Sequence, residues 1–146
     1  MADIRDIRAD DRAQWEALFL AYGVFYKTDF SKEVLDGVWA WLMDDAAAVK
    51  AIVSASGDTL LGFAMYRSLP DTFTAKPAWF LDDLYVAPEH RGSGAASALI
   101  TEVAARAKKH GGGALRWITA ESNETAQRVY NKLAKRTDFV NYEMQT

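Results

Sequence analysis

The 146-residue chain contains no cysteine, so disulfides, thiolate metal sites and cysteine-nucleophile chemistry are excluded together, and a reducing compartment suits it. Histidine is scarce as well. His90 and His110 stand apart without metal-ligand spacing, so no metal is assigned. Charge of one sign is lacking: 17 basic against 20 acidic residues leave a net charge of −3, no field for a phosphate backbone, and nucleic acid is not expected as a partner. Long apolar runs are also missing. Asp3, Arg5 and Asp6 stand where a signal peptide would need an apolar core, and no stretch approaches the length of a membrane span. The expectation is a soluble, cytoplasmic protein without a membrane partner. No repeat or low-complexity linker divides the chain, and Gly111 to Gly113 is too short to do so, which predicts a single domain over 1–146.

What the chain does have is apolar and aromatic bulk. Half of its residues are hydrophobic, with five Trp, six Tyr and seven Phe, enough for a packed core or a lined pocket. Ile4 to Arg8 reads as a short strand, and Asp10 or Asp11 can cap a helix carrying Trp15, Leu18, Phe19 and Tyr22 on one face. A second helix follows Ser31, with Val34, Leu35, Val38, Trp41 and Leu42 at helical spacing. Short apolar runs around Ile52 and from Leu60 to Tyr66, joined by Ser56-Gly57-Asp58, predict a hairpin. Pro70 and Pro77 bracket a polar loop, and Trp79 to Val86 reads as a buried strand interrupted by Asp82 and Asp83. A long helix from Ala95 ends at the three glycines; a strand over Leu115 to Thr119, a helix over Asn123 to Leu133 and a last strand near Phe139 to Met144 follow. The order predicts an α/β fold built on a central sheet.

Between the buried strand and the long helix lies Glu89-His90-Arg91-Gly92-Ser93-Gly94-Ala95-Ala96-Ser97. Unbonded amides at a helix start, the helix dipole and small side chains together suit an anion such as a phosphate. The segment has neither the three spaced glycines of a Rossmann turn nor the Gly-Lys-Ser/Thr ending of a Walker loop. Its Arg91-Gly92-Ser93-Gly94-Ala95-Ala96 resembles the Arg/Gln-x-x-Gly-x-Gly/Ala signature of the GNAT N-acetyltransferase superfamily. Leu81 to Glu89 before it resembles that family's strand and strand exit. Gly62 to Tyr66, Trp117-Ile118-Thr119, Asn123, Ala126, Tyr130 and Asp138 to Tyr142 are similar to the branch with the yeast histone/polyamine and D-amino-acid acetyltransferases and, more distantly, spermidine/spermine acetyltransferase.

The resemblance implies the GNAT fold, a mixed, mostly antiparallel central sheet flanked by helices, and acetyl-CoA as cofactor. It places the coenzyme A pyrophosphate on backbone amides of Arg91, Gly92, Ser93, Gly94, Ala95, Ala96 and Ser97, with Arg91 adding charge. It places the pantetheine arm along the main chain of Leu84, Tyr85 and Val86, in the manner of an added strand. Asn123 matches the family asparagine near coenzyme A; its local physics alone makes it a helix cap.

Acyl transfer from a thioester to an amine needs a neutral amine, a stabilised oxyanion and a proton for the departing thiolate. Asn123, Ala126 and Tyr130 share one helix face, and a phenol stays protonated at neutral pH. The resemblance implies that Tyr130 is the general acid; packing alone is the plainer reading. Asp82 and Asp83 are adjacent on a strand, which predicts opposite faces and no close carboxylate pair. The spermidine/spermine branch has glutamate at Asp82, implying a water-relayed base or an attractor of the cationic amine, against a satisfied carboxylate at a sheet edge. Tyr22, Phe25, Tyr26, Trp39 and Trp41, with Asp29 and Glu33, read either as an aromatic wall for an amine cation or as helix core. The function so implied is N-acetylation of a small primary amine, a polyamine or amino acid. Lysines of peptides or histone-like tails, and a non-catalytic acyl-CoA-binding module, are the alternatives. The family often forms dimers, and the aromatic-rich surface allows a homodimer.

Overall fold

Sequence-local signals set the element boundaries in the computed structural model, which describes residues 2–146. The Ser31 hydroxyl accepts the Val34 amide and starts α2 (Lys32–Leu42) after α1 (Arg12–Phe25). Gly57, at φ +56, turns β2 (Val49–Ser56) into β3 (Thr59–Asp71), as the hairpin reading expects. β4 (Lys76–Val86) returns antiparallel to β3, and α3 (Ala95–Lys109), β5 (Leu115–Arg116) and α4 (Glu124–Leu133) complete the chain after β1 (Asp3–Asp6). The five strands lie in the order β1-β2-β3-β4-β5, antiparallel except for the parallel β4–β5 pair. The expected mixed, mostly antiparallel sheet flanked by helices is therefore present.

Each face of the sheet is covered by its own apolar layer. On one side, Trp15, Phe19, Leu35 and Trp39 from α1 and α2 pack on Val53, Phe63, Met65 and Tyr85. Aromatic contacts run through that layer, with Trp15 and Phe19 stacked at 5.1 Å and Phe19 edge-on to Phe63 at 6.0 Å. On the other side, Leu99, Ile100, Val103 and Ala107, one stripe of α3, bury against Ile52, Ala64, Leu81 and Val86. A buried leucine or phenylalanine contributes about 2 kcal/mol, so these layers hold the sheet, and the site with it. α4 has no buried residue and is anchored through the half-buried Tyr130, which meets the Trp117 ring edge-on at 5.5 Å.

Four local expectations are corrected. Asp11 does not cap α1 with its side chain; the carboxylate turns back to the Arg8 amide at 2.7 Å and pairs with Arg5, which holds its pKa below the usual range. Pro70 and Pro77 bracket the loop as expected, but from inside β3 and β4, where they face each other because neither needs to donate at that end of the ladder, so the loop narrows to residues 72–75. The strand expected over Leu115 to Thr119 stops at Arg116, as β5 turns away from β4. Phe139 to Met144 forms no strand; Phe139 and Tyr142 are each 91% exposed, since β-propensity alone supplies no edge to pair with.

Candidate active site

The divergence of β4 and β5 makes the site. β5 pairs with β4 only at Trp79–Leu115 and Phe80–Arg116, so from Leu81 to Val86 the outer edge of β4 has no partner strand. Such an edge presents main-chain donors and acceptors to any extended group laid along it. Leu84, Tyr85 and Val86 lie on this open stretch. Gly62 permits the close approach of β3 there: a Cβ on it would stand 2.5 Å from the Tyr85 carbonyl oxygen.

The edge leads into the turn at the start of α3. Gly92 and Gly94 take φ +81 and +85, and a Cβ at either would meet no atom within 4 Å, so the backbone itself faces open space. The Ala98 amide makes the first bond of α3, to the Gly94 carbonyl, leaving the amides of Ala95, Ala96 and Ser97 ahead of it. Ser93 donates to the His90 carbonyl at 2.7 Å, bracing the turn. Arg91 folds back. Its Nε donates to the Val86 carbonyl at 2.9 Å, and its guanidinium lies over the Tyr85 ring at 5.3 Å, so it ties the turn to the strand. Exposed amides, small residues and an open strand edge in sequence fit a pyrophosphate followed by an extended arm, the shape of coenzyme A.

Above the open edge stands a cluster that the sequence did not disclose. The Tyr22 phenol faces the half-buried Asp83 carboxylate; burial, together with the nearby Asp82 charge, pushes Asp83 up to about 6 although the phenol acts in the opposite direction. Burial, then the Asp83 charge, holds the Tyr22 phenol far above the usual tyrosine range. Tyr26 is exposed along one side, and its phenol, partly covered, is also raised by burial and by Asp83. Tyr130 is raised by burial and then by Tyr26, so it carries its proton throughout the neutral range. Asn123 caps α4, accepting the Ala126 amide at 3.2 Å, and thereby fixes the helix that carries Tyr130.

The expected opposition of Asp82 and Asp83 is overturned by a β-bulge. Met65 pairs with Asp83 and Tyr66 with Leu81, so Asp82 is the extra residue on β4, and both carboxylates line one cavity of about 220 Å³ with Phe19, Val38, Trp41 and Arg67. Asp82 is engaged there by Arg67, whose Nε lies 3.0 and 3.1 Å from its two oxygens. Of the expected aromatic wall, Trp39 is core and Trp41 borders the cavity, while Phe25 and Tyr26 are exposed; Asp29 and Glu33 are solvated.

A sheet splayed beside a glycine turn is the architecture of an acyl-CoA N-acyltransferase. The model of the acetyltransferase (GNAT) family matches residues 5–134, and the chain belongs to that family. It is an acyl-CoA-dependent N-acetyltransferase with acetyl-CoA as its cofactor. It is 30% identical over 142 residues to D-amino-acid N-acetyltransferase HPA3 of Saccharomyces cerevisiae, covering 96% of this chain and 88% of that protein. It is 32% identical over 80 residues to thialysine N-epsilon-acetyltransferase of Sus scrofa, covering 55% of this chain and 46% of that protein. Among solved structures, ribosomal-protein-alanine N-acetyltransferase from Brucella melitensis is similar over the whole of both chains, with a TM-score of 0.84 and 25% identity. Among the described residues no helix is long and apolar enough to cross a membrane.

Proposed function

We propose that this chain acetylates a small primary amine by direct attack on acetyl-CoA, with Tyr130 as general acid. The observation that carries this reading is the open edge of β4 from Leu81 to Val86, running into the turn at Gly92 to Ser97. Amides of Gly92, Ser93, Gly94, Ala95, Ala96 and Ser97 hold the pyrophosphate, the Arg91 amide being taken by the Pro88 carbonyl at 3.3 Å, and main-chain groups of Leu84, Tyr85 and Val86, apart from the Val86 carbonyl that Arg91 occupies, align the arm. Bound acetyl-CoA supplies the activated thioester. Tyr130, protonated and half-buried, gives its proton to the departing sulfur, and Asn123 positions it through α4.

The amine must shed a proton before it attacks. Asp83 is the better placed acceptor, because its affinity for a proton has been raised toward neutrality, whereas Asp82 is held by Arg67. Asp82, neutralised by Arg67, holds that side chain in the cavity and reaches the amine only through water. The cavity's modest volume and the acceptors named for two relatives, a D-amino acid and thialysine, favour a small amine over a protein tail. The test is release of free thiol from acetyl-CoA across polyamines, D- and L-amino acids and basic peptides. Transfer to a small amine is expected. Thermal protection by coenzyme A without transfer to any acceptor would instead support a non-catalytic binding module.

A further inference from the structure

We propose that Arg67 is the anchor for a carboxylate on the acceptor, so that the substrate class is an amino acid, bearing a carboxylate as well as its amine, rather than a polyamine. The inference rests on the acetyl-transfer reading above and deepens it. A cavity built for a cation alone would leave its carboxylates unneutralised. Here one of the two is matched by a guanidinium placed in the same cavity, which repels a second positive charge.

The geometry of Arg67 leaves it able to do more than neutralise Asp82. Its hydrogen bonds within the described chain both run from Nε, and the two terminal nitrogens, with four N–H donors, make none. The guanidinium sits over the Phe80 ring at 5.4 Å, and Asp82 holds its Nε edge. A planar, oriented guanidinium with its outer edge unbonded is the side chain suited to bidentate capture of a carboxylate. Lysine would not provide that fork.

Register sets the spacing. Asp83 faces Met65 across the ladder, and Arg67 lies two residues farther along β3 on the same face, a diagonal backbone separation from Asp83 of about 8 Å. An α-amino acid, with one hydrogen bond at its amine and another at its carboxylate, spans a gap of that order. Phe19, Val38 and Trp41 line the same cavity and supply apolar cover for the side chain of such an acceptor.

The test compares an α-amino acid, in both enantiomers, with the amine left when its carboxylate is removed, for example phenylalanine with phenethylamine. The unaltered protein is expected to show a KM at least tenfold lower for one enantiomer of the amino acid. Arg67→Gln is expected to raise that KM tenfold or more with little change in kcat, while leaving the KM for phenethylamine unchanged or lower. Asp82→Asn, which keeps the guanidinium, is expected to retain the preference for the carboxylate. Calorimetric binding of the same two ligands to the coenzyme A complex reads the preference without turnover, and thermal protection by coenzyme A reports that each variant is folded. Equal affinity of the unaltered protein for both ligands, or an equal loss for both in Arg67→Gln, overturns the inference while leaving acetyl transfer intact. Binding of the amino acid through Arg67 with no transfer to any amine would overturn the acetyltransferase reading instead.

Discussion

The Tyr22 phenol of α1 faces the Asp83 carboxylate of β4, on the stretch where β4 has lost its outer neighbour. The phenol by itself lowers the carboxylate's pKa, yet Asp83 is pushed up to about 6, because burial outweighs the phenol and Asp82 adds its charge. A half-buried carboxylate that gains a proton near neutrality is suited to the proton-accepting role proposed for it above.

The rate of acetylation should follow that titration. In the reading proposed here Asp83 must be ionised to accept a proton, so kcat/KM is expected to rise with pH and to bend near 6. Asp83→Asn should lower kcat/KM by about a hundredfold and remove the bend. An unchanged inflection in that variant would assign the titration to another group.

The same carboxylate should cost stability at neutral pH. Folding raises its pKa from about 3.9 to about 6, so the folded state binds more protons within that window. The stability tied to protonated Asp83 is therefore fully present below about pH 4 and is lost as pH rises through about 6. Asp83→Asn keeps a neutral group at all pH values and should stabilise the fold at pH 8 by up to about 2–3 kcal/mol, with no gain at pH 4. Denaturant unfolding at the two pH values checks this; an equal effect at both would remove the ionisation account.

How much of this was legible beforehand depends on whether the signal is local. The glycine turn, the helix start after Ser31 and the α3 stripe depend on neighbours in sequence and were read directly. The cavity was not, because it depends on one extra residue in a ladder. Strict alternation sends Asp82 and Asp83 to opposite faces, and no property of the doublet announces the bulge that brings them together. Arg67 was missed for the same reason, since its partner lies fifteen residues away across the ladder. The Phe139 to Met144 segment erred the other way: its apolar, β-prone residues read as a strand, but a strand needs an edge to pair with.

Tyr130→Phe removes one hydroxyl while keeping the ring that meets Trp117, so the packing of α4 should survive. Turnover is expected to fall at least about a hundredfold, while coenzyme A still protects the fold against heat. A variant with ordinary turnover would leave Tyr130 as a packing residue. If turnover and coenzyme A binding fell in proportion, Tyr130 would be a binding group rather than the acid.

Gly94 and Gly113 both take positive φ, but substitution by alanine should fail for different reasons and in different assays. A Cβ on Gly94 meets nothing within 4 Å, so Gly94→Ala bears only the backbone penalty of φ +85, about 1–2 kcal/mol, and the fold should form. The loss should appear in the turn, as weaker protection by coenzyme A, because strain relaxes by moving the amides at the start of α3. A Cβ on Gly113 would stand 2.0 Å from the Pro77 carbonyl oxygen at φ +104, a collision between two backbones that no side-chain rotation relieves. Gly113→Ala must therefore displace β5 from β4 at Trp79, whose indole also donates to the Gly112 carbonyl at 2.8 Å. Thermal unfolding with and without coenzyme A separates the two: Gly113→Ala should lower the Tm of the free protein the more, and Gly94→Ala should shrink the shift that coenzyme A produces. The reverse order would mean that the turn supports the fold and not the cofactor.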